Sequence, residues 1–189
     1  MSEFKIYETA NAPEASRPFL EKAEAKFGFL PAILGAMAEA PATLEGYLTL
    51  AGILEKSSLS PAERQLALLA ISRENDCHFC VAAHSGAALK AGLDKGTVDA
   101  LREGEAIADA KLNALRNFAV AVTVNRGHVS AAQLSAFLEA GYTKQQAFEV
   151  ILAVAVKVMT NYVDALADVP LNEQLSPLKW VPPSKRVAA

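Results

Sequence analysis

Phe118-Ala119-Val120-Ala121-Val122-Thr123-Val124 is the stretch on which the fold class turns. Read alone, it alternates like a strand, and Val150–Val158 is equally rich in β-branched residues. No turn signal joins either run to a neighbour as a hairpin. Interleaved alanines and the helix caps around both runs favour buried helices, so the expected fold class is all-α.

The caps are legible along the whole chain. Ser60-Pro61-Ala62-Glu63 reads as a capping box, with a serine cap, proline at the first helical position and glutamate three residues after the cap. Ser130-Ala131-Ala132-Gln133 and Thr143-Lys144-Gln145-Gln146 repeat the arrangement, and Val129 and Leu134 have the spacing of a hydrophobic staple. Ala91-Gly92-Leu93-Asp94-Lys95 and Ala140-Gly141-Tyr142-Thr143-Lys144 are similar helix–glycine–helix corners, compatible with a duplicated helical hairpin. These signals predict helices near 17–27, 31–38, 41–54, 61–74, 77–90, 95–103, 109–126, 131–139 and 144–167. They form a single helical domain over 17–168, between an irregular N-terminal segment (1–16) and a C-terminal arm (169–189). Leu178 and Trp180 mark the arm as one that packs on something, a neighbouring subunit being one candidate.

With 189 residues, 52% hydrophobic and 21% charged, the chain is long enough for a real core. A net charge of −3 without a Lys/Arg cluster gives no nucleic-acid surface. The N-terminus lacks the plan of a signal peptide, and the longest apolar run, Val150–Met159, is interrupted by Lys157, so no membrane span is expected. The expected location is the cytoplasm.

Both cysteines of the chain fall in Cys77-His78-Phe79-Cys80-Val81-Ala82-Ala83-His84. In a reducing compartment two cysteines three apart are redox or metal devices rather than a staple. At 100° per residue, Cys77, Cys80 and His84 share one helix face, and the cysteines are close enough to close a disulfide. Asn75 and Asp76 are good caps, which sets Cys77 in the first turn and Cys80 at its end, where free N–H groups favour a thiolate. His84, one turn past Cys80, takes a proton from it more readily than from Cys77. Cys80 is therefore the expected nucleophile and Cys77 the resolving thiol. A metal site is the lesser reading: His78 points away from Cys77, and His128 is the sole remaining histidine. His78 is read as a solvated helix-start residue, His128 as a loop residue and Phe79 as a core or pocket residue. Glu63 and Glu74 are candidate carboxylates for a proton relay through His84, with Glu63 also explained by its capping box. Gln65 can hydrogen-bond but not titrate.

The segments Leu59-Ser60-Pro61-Ala62-Glu63-Arg64-Gln65 and Ala70-Ile71-Ser72-Arg73-Glu74-Asn75-Asp76-Cys77-His78-Phe79-Cys80-Val81-Ala82-Ala83-His84 resemble the carboxymuconolactone decarboxylase-like superfamily, in its AhpD-like alkylhydroperoxidase branch. The resemblance is densest over 59–92. It implies an AhpD-like helical bundle in a trimer-based homo-oligomer, trimer or hexamer. It also implies cofactor-free reduction of organic hydroperoxides or hydrogen peroxide at the expense of a thiol reductant. Carried over, Cys80 is peroxidatic, Cys77 resolving and His84 part of the relay. The family pattern has glutamate where this chain has Gln65 and histidine where it has Phe79, so Glu74 or Glu63 is expected to replace the missing acid. The alternative is a thiol–disulfide redox partner or sensor without efficient peroxidase activity.

Overall fold

The computed structural model describes residues 3–186, in which nine α-helices and no strand are found. The helices are α1 (Arg17–Phe27), α2 (Ala32–Met37), α3 (Pro41–Leu54), α4 (Pro61–Glu74), α5 (His78–Lys90), α6 (Lys95–Glu103), α7 (Ala110–Val124), α8 (Ala131–Glu139) and α9 (Lys144–Ala167). Residues 1–2 and 187–189 of the two flanking segments lie outside the described residues. Both ambiguous runs are helical. In α7 the buried residues include Leu115, Phe118, Ala119 and Val122, the i, i+3, i+4, i+7 spacing of one helix face. Asp109 starts that helix by accepting from the Leu112 amide.

The capping boxes at Ser60, Ser130 and Thr143 all close reciprocally. The two similar corners share their conformation: Gly92 and Gly141 sit at φ 98° and 92°, and Asp94 and Thr143 cap the helices that follow.

α4 is the central helix. Leu66 through Ser72 are all buried, because α5, α6, α7 and α9 surround it. Burying a leucine or isoleucine there contributes about 1.5–3 kcal/mol. A first hydrophobic cluster joins α4 to α6, α7, α8 and α9. A second gathers α1, α2 and α3 around Cys77, Phe79 and Cys80 at the start of α5 and Ala167 at the end of α9. Tyr47 of α3 packs against both, so the cysteines lie at the seam between the clusters.

α9 bears on the membrane expectation. Its 24 residues are long and apolar enough to cross a membrane, although Lys157 breaks the continuous run. In this fold it is a core helix packed on α2, α3, α4, α5 and α7. Its buried face carries Lys157, Thr160, Asn161 and Asp164, again at i, i+3, i+4 and i+7.

The C-terminal arm folds back on its own chain. The Trp180 indole N–H donates to the Arg102 carbonyl at 3.1 Å, and the Arg102 guanidinium donates to the carbonyls of Leu178 and Lys179. A side chain at Gly86 would meet the Leu178 methyl at 2.9 Å, so the missing Cβ lets the arm lie against α5.

Candidate active site

The turn from α4 into α5 sets the cysteines. Asn75 ends α4, Asp76 takes a left-handed φ of 52°, and the Cys77 amide donates back to the Ser72 carbonyl at 3.0 Å. This differs from the expected cap: Cys77 is itself the N-cap of α5. Its sulfur accepts from the Cys80 amide at 3.3 Å, satisfying one of the free N–H groups of the first turn. Cys80 then falls at the third helical position. Both cysteines are free thiols, 2% and 3% exposed, and their side chains hydrogen-bond to each other.

The group next to Cys80 is one that sequence reasoning missed. Lys157, 1% exposed, lies near enough for its charge to act on the Cys80 sulfur and is 2.7 Å from Nε2 of His84. Nδ1 of His84 lies 2.9 Å from Oε1 of Gln65. The two sites fix the roles: the ammonium donates to Nε2, and Nδ1 carries the proton and donates to the Gln65 carbonyl. Lys157 thus stands between the sulfur and the imidazole. Gln65 lines a cleft of about 460 Å³ with Glu55, Pro61, Arg64, Ala87, Lys90 and Ala91. The chain Gln65–His84–Lys157–Cys80 therefore runs from a surface cleft to the buried sulfur.

The electrostatics follow from these contacts. Burial pushes the Cys80 thiol up. The Cys77 hydrogen bond, the Lys157 charge and the Thr160 hydroxyl outweigh it and bring Cys80 down to about 6. Burial, donation to Cys80 and the negative charges of Cys80 and Asp164 push Cys77 far up. One sulfur is a thiolate and the other its hydrogen-bond donor. Burial would lower Lys157, yet the negative Cys80 leads the effects that raise it, so it stays an ammonium. Burial and then the Lys157 charge hold His84 well below the ordinary histidine range, which keeps it neutral. The carboxylate acting on the sulfurs is that of Asp164, not Asp76.

The two carboxylates expected in the relay are engaged elsewhere. Glu63 accepts from the Ser60 amide at 2.8 Å to close the α4 cap, with Lys111 at 3.7 Å. Glu74 pairs with Arg73 at 2.9 Å. Neither reaches His84, whose ring nitrogens belong to Gln65 and Lys157. Phe79 is buried in the second cluster, and His128 is exposed in a loop. His78 is not merely solvated: its Nδ1 lies 3.2 Å from Oδ2 of Asp164. Among the described residues, no three His, Cys, Asp or Glu side chains converge as a metal ion would require.

The missed residues did leave a signal. Lys157, Thr160, Asn161 and Asp164 repeat at helical spacing within an otherwise apolar segment, and polar groups on a buried face are held for partners. Tyr47 left none. Its hydroxyl is held protonated by burial beside Lys157 and both cysteines, a placement α3 alone does not announce.

The carboxymuconolactone decarboxylase family profile matches residues 38–117, which include α3, α4 and α5. No curated protein matches the sequence closely enough to count as a relative. Among solved structures, the chain is similar to a peroxidase-related protein from Ralstonia eutropha JMP134 with an alkylhydroperoxidase AhpD core. That match has 22% identity over 92% of this chain and 94% of the other, at a TM-score of 0.81. A peroxidase-related protein from Silicibacter sp. TM1040 gives 21%, 92% and 92%, at 0.78. The debrominase Bmp8, solved with 2,3,4-tribromopyrrole, gives 19%, 94% and 96%, at 0.76. The family profile covers the cysteine segment, and the likeness to these solved structures shows an AhpD-like all-α fold.

Proposed function

We propose that the protein is a thiol-dependent peroxidase that reduces organic hydroperoxides or hydrogen peroxide through a Cys77/Cys80 disulfide cycle. The observation that carries this reading is the buried Lys157 ammonium whose charge acts on Cys80, with the Cys77 thiol donating to the same sulfur. A thiolate formed below neutral pH attacks the terminal peroxide oxygen. The O–O bond breaks, Cys80 becomes a sulfenic acid, and the leaving alkoxide takes a proton from Lys157. Cys77 then displaces water to form the disulfide, and an external dithiol restores both thiols. The neutral His84, held by Gln65, receives the Lys157 hydrogen bond and orients the ammonium.

The test is thiol-dependent consumption of cumene hydroperoxide by wild type and Cys80→Ser. Turnover by the wild type and its loss in the variant is the expected result; equal rates would remove the reading. An exchange-only redox protein would instead form the disulfide from an oxidised dithiol with no acceleration by peroxide. Including 2,3,4-tribromopyrrole as a second electrophile separates peroxide reduction from the chemistry of the debrominase that shares the fold.

The same reading includes a homo-oligomer built on trimers. It is supported by the outer face of α9, where Phe148, Ile151, Tyr162 and Leu166 are exposed within about 60° of one another. Light scattering is expected to give a trimer or hexamer for the wild type and a smaller species for Phe148→Glu/Leu166→Glu.

A further inference from the structure

The Gln65–His84–Lys157 chain serves Cys80 and leaves the proton of Cys77 without a path. Cys77 has the opposite need. It must be a thiol at rest, because it donates to Cys80, and it must shed that proton when it attacks the Cys80 sulfenic acid. It is 2% exposed, and its sulfur lies at the start of α5, away from the Gln65 cleft.

Two side chains outside the relay stand at that end. Asp164 lies on the buried stripe of α9, two turns beyond Lys157. Its carboxylate is 4% exposed; Oδ2 is 3.2 Å from Nδ1 of His78, while Oδ1 is buried with no partner among the described residues. A buried carboxylate oxygen left open destabilises a fold, and packing alone would be served as well by an apolar side chain. His78 is the residue after Cys77 and the first of α5. Its side chain is a quarter exposed, so it connects Asp164 to solvent. The pair thus has a buried end whose charge acts on both cysteines and a wet end.

We propose that Asp164 and His78 carry the proton of the resolving step, with Asp164 accepting it from Cys77 and His78 passing it to solvent. This rests on the disulfide cycle proposed above. In that step Cys80–SOH and Cys77–SH give the disulfide and water. The S–S bond forms and the S–O bond breaks; the Cys77 sulfur is oxidised and the Cys80 sulfur reduced. The thiol proton leaves through Asp164, and the departing hydroxide takes its proton from Lys157, which regains one from solvent through His84 and the Gln65 cleft after the peroxide step. The two ends of the polar stripe therefore divide the work: the cation at Lys157 stabilises the thiolate of Cys80, and the anion at Asp164 keeps Cys77 protonated until it attacks.

The charged groups facing these residues bear on the pH dependence. Asp164, Asp168 and Lys185 face His78, while Cys80, Asp164 and Lys157 face Cys77. The bond to Asp164 raises His78 above the ordinary histidine range, against its partial burial. His78 takes up a proton only when neutral, so resolution is expected to quicken as pH rises through that raised value.

The test is stopped-flow oxidation of the full chain by cumene hydroperoxide, in wild type, His78→Asn and Asp164→Asn. Sulfenic acid is trapped with dimedone and disulfide formation is followed separately. Sulfenic acid is expected to form in both variants within a few-fold of the wild-type rate. Disulfide formation is expected to fall at least tenfold at pH 7, and its pH profile to lose the histidine inflection. Should Asp164→Asn fail to fold, His78→Asn, at a side chain a quarter exposed, decides alone. Unchanged disulfide rates and pH profile in a folded variant would overturn the proposal while leaving the peroxidase reading intact. Absence of peroxide-dependent sulfenic acid in the wild type would overturn both.

Discussion

Nζ of Lys157 lies 2.7 Å from Nε2 of His84, and the ammonium is the donor. A histidine expected to draw the proton from Cys80 instead accepts from a buried lysine whose charge acts on that sulfur. The Cys77 hydrogen bond and the cation, rather than the imidazole, favour the thiolate of Cys80.

Lys157→Met is expected to raise Cys80 toward the ordinary thiol range, against the Cys77 hydrogen bond and the Thr160 hydroxyl that still lower it. With Cys80 at about 6 most of it is thiolate at pH 7, whereas an ordinary thiol near about 8.5 leaves about 3%. Alkylation and peroxide reduction should therefore fall by up to about 30-fold at pH 7, with the deficit shrinking as pH rises. A thiolate titration by absorbance at several pH values checks this. A Cys80 that still titrates near 6 would clear Lys157 of the role.

Gln65 holds the proton of His84 Nδ1 through a neutral acceptor. Gln65→Glu puts a negative charge there, which favours the imidazolium and is expected to raise both His84 and peroxide turnover. Gln65→Leu leaves the ring N–H without its partner, at a cost of about 1–3 kcal/mol. His84 titrates lower in the fold than in the unfolded chain, so the unfolded chain takes the proton first. Its contribution to stability is complete above about pH 6.5 and is lost as pH falls below it. Ring-nitrogen NMR and urea unfolding from pH 5 to 8 measure both effects.

Cys77 is the helix cap and the proposed resolving thiol, and two substitutions separate the roles. Cys77→Ser keeps a side-chain acceptor for the Cys80 amide, whereas Cys77→Ala removes it and is expected to cost about 1 kcal/mol more. Both should permit one oxidation of Cys80 by peroxide and then stop, because no disulfide forms. Thermal unfolding reports the first difference and single-turnover oxidation the second.

Glu63→Ala is expected to lower stability by about 1 kcal/mol through the α4 cap, and Glu74→Ala to change it little beyond the partly exposed pair with Arg73. Neither should reduce peroxide turnover by more than about twofold, since neither carboxylate touches His84. A loss of tenfold or more in either variant would return that carboxylate to the relay.

Much of this could be read along the chain because it depends on neighbours in sequence. The capping boxes at Ser60, Ser130 and Thr143 and the glycine corners at Gly92 and Gly141 are local geometry, and they bound the helices to within a residue or two. Local spacing also brought Cys77, Cys80 and His84 together on α5. The cap at Cys77 was missed because it depends on the left-handed turn at Asp76, where Asn75 and Asp76 are themselves good caps.

The amino-acid sequence by itself determined an all-α chain with a cysteine pair at a helix start, because hydrogen bonds across three or four residues settle helices and their ends. Only the tertiary structure decided how that pair is charged. Lys157 lies 73 residues from His84, and Asp164 lies 86 from His78. Whether such groups become a cation for one sulfur and an anion for the other depends on how α9 packs across α5. Burial between the two hydrophobic clusters then makes those contacts strong enough to separate two thiols that the sequence sets only three residues apart.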